Sequence, residues 1–116
     1  MWRLVIWLAL PVGLVACGID VATGKAVYDE NCLPCHGVTG MGDGPFADKL
    51  LSPPSDLTVL AERNGGTFPA QYVNDIVDGH GRGDHFSGAM PEFAQTLGGE
   101  ELKLGPLVDY LETLQQ

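Results

Sequence analysis

Cys32-Leu33-Pro34-Cys35-His36 constrains this chain more than any other stretch in it. Two cysteines three positions apart, with a histidine directly after the second, is the spacing with which a polypeptide attaches a haem covalently. The chemistry explains the spacing. The two thiols add across the haem's two vinyl groups, which lie along one edge of the porphyrin, so both sulfurs must leave the backbone close together. The adjacent imidazole then becomes the proximal ligand of the iron. The rival reading is a zinc site made from Cys32, Cys35 and two of His36, His80 and His85.

At 116 residues the chain has room for one domain. Residues 1–16 stand apart from it: a single positive charge at Arg3, an almost unbroken apolar run from Leu4 to Ala16, and then Cys17. That pattern is an export signal, too short and wrongly flanked for a stable membrane span. Its end, Leu14-Val15-Ala16-Cys17, resembles the bacterial lipobox, in which the cysteine is acylated and becomes the new N-terminus. A plain secreted protein or an uncleaved anchor are the other readings. Cysteine arithmetic favours the lipoprotein. With Cys32 and Cys35 taken by haem, Cys17 is otherwise a lone exported thiol, and no cysteine remains for a disulfide. The expected organisation is therefore a lipoprotein-type signal peptide over 1–16, a lipidated tether over 17–20 and a folded domain over 21–116. The domain is expected in the periplasm, lipid-anchored to a bacterial membrane, with the choice between inner and outer membrane open.

The formal net charge is -9, and removing Arg3 with the signal makes the mature chain about -10. Such acidity excludes nucleic acid and anionic lipid as electrostatic partners. It suits redox protein partners with a basic docking face, themselves membrane-associated because the tether is short. A mature chain of roughly 100 residues has little core of its own, and a buried porphyrin would supply a large apolar slab to pack on.

Periodicity reads as helices joined by glycine-rich loops. A helix is expected from about Val21 to Cys32, capped by Asp20, with Gly24 and Tyr28 on one stripe. A glycine in mid-helix costs about 1 kcal/mol relative to alanine, and close approach of another helix is the usual reason. Gly44-Pro45 is expected to open a short turn with Phe46, Leu50 and Leu51 inward, stopped by Pro53-Pro54. Asp56 caps a helix from Leu57 to about Arg63. The next helix places Tyr72, Val73, Ile76 and Val77 on a buried stripe and ends at Gly79. The glycine-rich stretch from Gly79 to Gly88 reads as irregular loop. In the last segment Leu104, Leu107, Val108, Leu111 and Leu114 share a helical face with Tyr110 beside it, while Gly105-Pro106 requires either a helix start or a kink there.

Gly24, Tyr28, Cys32, Cys35, His36 and Gly37, in that spacing, resemble the N-terminal helix of class I cytochromes c. The resemblance implies an all-α class I cytochrome c fold, a small helical bundle wrapped around one covalently bound haem c, with the glycine and aromatic crossing the C-terminal helix. Ala89-Met90-Pro91 resembles the distal-ligand segment of that family, which implies Met90 as sixth ligand opposite His36. A thioether is a soft ligand suited to iron and raises the potential relative to a second histidine. Met41, His80 and His85 are the competing ligands. The family also implies a proline carbonyl accepting a bond from the ligand histidine, and Pro45 is the candidate, its other reading being a helix starter. Arg82 reads either as a partner for a haem propionate or as a surface residue. Two axial ligands leave no iron position for substrate, so the implied function is single-electron transfer between redox partners and not catalysis. The alternatives are a cytochrome c subunit of a larger membrane oxidase or dehydrogenase complex, and haem-based sensing or peroxidase chemistry with Met90 displaced.

Overall fold

A computed structural model describes residues 16–96 and 101–116, so nearly all of the expected signal peptide lies outside the described residues. Helix α1 spans Ala16–Asn31 and α2 is the single turn Leu33–His36. Two 3-10 turns follow at Ala47–Lys49 and Leu57–Val59, the second running into α3 (Leu60–Arg63). Then come α4 (Ala70–Asp78), α5 (Phe93–Thr96) and α6 (Glu101–Thr113). The described residues contain no strand, and the fold is the expected all-α one. No described helix is long and apolar enough to cross a membrane.

The main packing is α1 across α6, with α4 laid against α6. Gly24 makes the crossing possible. A Cβ there would lie 1.8 Å from the Pro106 carbonyl oxygen and 2.9 Å from Tyr110 Cβ, distances no real side chain tolerates. One turn on, Tyr28 and Tyr110 meet with ring centroids 5.4 Å apart and planes tilted by 57°, close to the geometry aromatic pairs prefer. Tyr28 and Leu107 are the largest fully buried side chains. Around them the core gathers Val27, Cys32, Val73, Val77, Phe93, Val108, Tyr110 and Leu111.

Four local expectations change. Asp20 is not the cap of α1, because helical backbone already runs from Ala16 through the residues expected to form a free tether. Of the two readings at Pro106 the helix start is excluded, because α6 begins five residues earlier and the proline lies inside it, where its missing N–H removes one intrahelical bond without ending the helix. Phe46 and Leu51 are exposed, not inward, because the segment makes only a three-residue 3-10 turn flanked by these residues and so has no helical face to bury. Phe46 instead lies under the Lys49 ammonium, 4.9 Å from the ring centroid. In α4 the buried stripe narrows to Val73 and Val77, and Tyr72 stays exposed.

Candidate haem site

The two thiols and the imidazole are set by one turn of helix. Cys32 ends the run of α1, with its amide donating to the Tyr28 carbonyl at 2.8 Å, and the His36 amide in turn donates to the Cys32 carbonyl at 2.8 Å. Neither Cys32, which is buried, nor the half-buried Cys35 is in a disulfide. Burial, and then the neighbouring Cys35, push the Cys32 thiol up to about 12, so it is a neutral group in an apolar place.

A glycine-rich loop wraps this turn. The amides of Gly42, Gly44 and Phe46 donate to the carbonyls of His36, Cys35 and Pro34 at 2.8, 3.0 and 2.9 Å. Gly44 passes so close that a Cβ would fall 2.5–2.6 Å from the backbone of Leu33, Pro34 and Cys35. The phenol of Tyr28 donates to the Gly37 carbonyl at 2.6 Å, tying the helix crossing to the residue after the histidine.

His36 Nδ1 lies 2.9 Å from the Ser55 carbonyl oxygen. A carbonyl only accepts, so Nδ1 carries the proton and donates, and the lone pair of the neutral ring is on Nε2. Burial moves the imidazole pKa below its ordinary value, against the opposing effect of the Ser55 bond, which keeps the ring neutral. The acceptor is therefore not Pro45. That residue is exposed in the loop, whereas Pro53-Pro54 and the Asp56 cap hold Ser55 against the ring. The cap is visible: Asp56 Oδ1 accepts from the Thr58 amide at 2.9 Å and from its hydroxyl at 2.6 Å. Sequence reasoning found the cap and missed the carbonyl beside it, whose only signal was an extended Pro-Pro run leading into an N-cap.

Met90 sits on the loop between α4 and α5. It is half-buried, lies 54 residues beyond His36 and packs against the core cluster to which the buried Cys32 also belongs. The competing ligands lie outside this packing. Met41 and His85 are exposed, and exposed His80 pairs through Nδ1 with Asp78 Oδ2 at 2.7 Å. Arg82 is turned toward backbone: Nε donates to the Ile76 carbonyl at 3.0 Å, and the two terminal nitrogens to the carbonyls of Met90 and Pro91 at 2.8 Å each. Cys17 falls in the first turn of α1.

The donor set suits a haem: two unpaired thiols, a neutral imidazole with its second nitrogen oriented by a backbone acceptor, and a thioether on a packed loop. It does not suit the zinc reading, because the described residues hold no cluster of three histidine, cysteine or carboxylate side chains.

Residues 19–111 match the family described as cytochrome C oxidase, cbb3-type, subunit III. The chain is 34% identical over 86 residues to the cbb3-type cytochrome c oxidase subunit CcoP of Azospirillum sp. (strain B510), an alignment covering 72% of this chain and 25% of that one. It is 38% identical over 50 residues to cytochrome c-554(547) of Halothiobacillus neapolitanus, covering 41% of this chain and 55% of the relative. The chain thus spans less than two thirds of the length of either. No solved structure matches it. Because the match runs from α1 almost to the end of α6, the chain belongs to this family of class I c-type cytochromes, electron carriers that hold haem c covalently.

Proposed function

We propose that this protein carries single electrons between redox proteins through one haem c, bound by Cys32 and Cys35 and ligated at the iron by His36 and Met90. The observation that carries this reading is the His36 ring, neutral and bonded through Nδ1 to Ser55, at the end of a turn that Cys32 precedes and Cys35 belongs to. Such a bond fixes the tautomer and raises the basicity of the other nitrogen. Haem iron supplies the one-electron couple, and its potential is tuned by the axial pair. The chain's own residues orient the imidazole, keep water from Cys32 and hold the Met90 loop in place.

Cys17 is the proposed lipid attachment site, tethering the domain to a bacterial membrane on the periplasmic side. The partners are membrane-associated redox proteins with a basic docking face. The resemblance to CcoP favours a second reading, in which the chain is the cytochrome c subunit of a larger oxidase complex. Affinity purification from membranes separates the two, since a subunit comes away with stoichiometric partners and a carrier comes away alone.

The decisive test is covalency. Denatured, acid-extracted wild-type protein is expected to keep its haem on the polypeptide, and Cys32→Ala/Cys35→Ala to lose it. Haem that extracts freely from the wild type would sink the proposal.

A further inference from the structure

The proposed distal ligand sits on a loop, residues 79–92, whose first two amides, of Gly79 and His80, donate to the Asp75 carbonyl in α4 at 3.0 and 2.7 Å, while nearer Met90 the backbone bonds are local: Phe86 to Gly83 at 2.9 Å and Met90 to Ser87 at 3.4 Å. Glycines at 79, 81, 83 and 88 leave that backbone free to adopt many conformations. Such a loop does not by itself set a side chain to the tolerance that metal ligation needs. Arg82 spans it. Its guanidinium reaches the Ile76 carbonyl, in the last turn of α4, and the carbonyls of Met90 and Pro91 on the far side of the loop. The ring of Phe86 lies 4.5 Å from the guanidinium carbon and backs the plane. The Ile76 carbonyl also accepts from the Gly79 amide at 3.3 Å, so the guanidinium takes its second lone pair, at the negative end of the α4 dipole.

We propose that Arg82 is a positioning residue for Met90, fixing the backbone of residues 90–91 to the C-terminal end of α4 so that the thioether is held where it ligates. The inference rests on Met90 being the sixth ligand. Charge alone does not suffice; the fork geometry decides. One planar group with five donors satisfies three carbonyls at once, whereas a lysine ammonium is a compact charge on a flexible stem without that fork. Lysine therefore does not replace Arg82.

The test uses the haem-loaded full chain and exogenous imidazole, which binds ferric iron only when Met90 is off it. Its apparent affinity measures the fraction of molecules in the open state. Arg82→Gln and Arg82→Lys are each expected to bind imidazole at least tenfold more tightly than wild type. Amide hydrogen exchange over residues 84–92 should rise at least tenfold, with α1 and α6 unchanged. Met90→Ala is the control for the underlying reading, since it should abolish the weak sulfur-to-iron charge-transfer band at the red end of the spectrum. A band that survives in Met90→Ala defeats the ligand assignment itself. A band that depends on Met90, with imidazole affinity in both Arg82 variants within twofold of wild type, overturns the positioning role alone. So does wild-type affinity restored by lysine. If Arg82→Gln fails to load haem, Arg82→Lys decides, and unchanged loop exchange in that variant overturns the proposal.

Discussion

Tyr28 shows how one residue serves packing and site together. Its ring is fully buried against Tyr110 while its hydroxyl satisfies the Gly37 carbonyl. Burial is the main reason its phenol pKa is raised, so it remains a donor throughout the physiological range. Tyr28→Phe keeps the ring and removes one of two donors to the Gly37 carbonyl, the other being the Gly40 amide at 3.2 Å, which should cost about 0.5–1.5 kcal/mol in denaturant unfolding. Asp56 acts one step from the histidine. Hydrogen bonds from the Thr58 hydroxyl and amide hold its carboxyl below the ordinary value of 3.8. A depressed folded-state pKa contributes stability above the unfolded value and loses it as pH falls through the folded one. The stability gap between wild type and Asp56→Ala should therefore be full at neutral pH and shrink below about pH 4. A gap that stays constant to pH 2 would contradict the cap's role.

Among elements, the crossing of α1 and α6 carries the fold. Gly24→Ala gains about 1 kcal/mol of helix propensity. It also places a methyl carbon on the Pro106 carbonyl and against Tyr110, and overpacking of that kind costs about 1–3 kcal/mol or more. A net loss is expected, visible as a lower thermal midpoint, and an alanine variant as stable as wild type would mean that the helices do not cross here. The end of the chain adds a second tie. Gln115 accepts from the Ala61 amide at 2.9 Å and donates to the carbonyls of Leu57 and Leu111 at 2.7 and 2.9 Å. The Gln116 amide reaches the Thr58 carbonyl at 3.0 Å. The last residues thus clamp the same segment that presents Ser55 to His36, and α6 supports the His36 ring from a distance.

At the scale of the whole molecule, charge and anchor would act together. Two acyl chains on Cys17, at about 0.8 kcal/mol per buried CH₂, would go well beyond the marginal binding of a single chain. Cys17→Ser is expected to release a folded, haem-loaded domain that no longer sediments with membranes. With residues 17–20 helical, each adds about 1.5 Å of reach instead of about 3.5 Å, so the domain would stay close to the bilayer. A formal charge of -9, about -10 once Arg3 leaves with the signal, implies attraction to a basic docking face, and screening sets in over about 10 Å at 0.1 M salt. Electron transfer to a basic partner should slow as salt is added. Membrane retention by Cys17→Ser would remove the anchor, and a salt-independent rate would remove charge as the recognition principle.

The Cys32–His36 turn, the Gly24 and Tyr28 stripe, the Asp56 cap and the C-terminal apolar face were all legible in the sequence. Each is encoded by residue type at a short, regular spacing, and such spacing maps directly onto one turn or one face of a helix. The contacts of Ser55 with His36, Tyr28 with Gly37, Arg82 with Met90 and Gln115 with Ala61 were not. In each, one partner is a backbone group, and every residue except proline offers the same N–H and C=O. Residue identity therefore cannot say which carbonyl a side chain will find, and only the packing of α1, α4 and α6 decides it. That is why Pro45 looked as good an acceptor as any, and why the tertiary structure assigned the bond to Ser55.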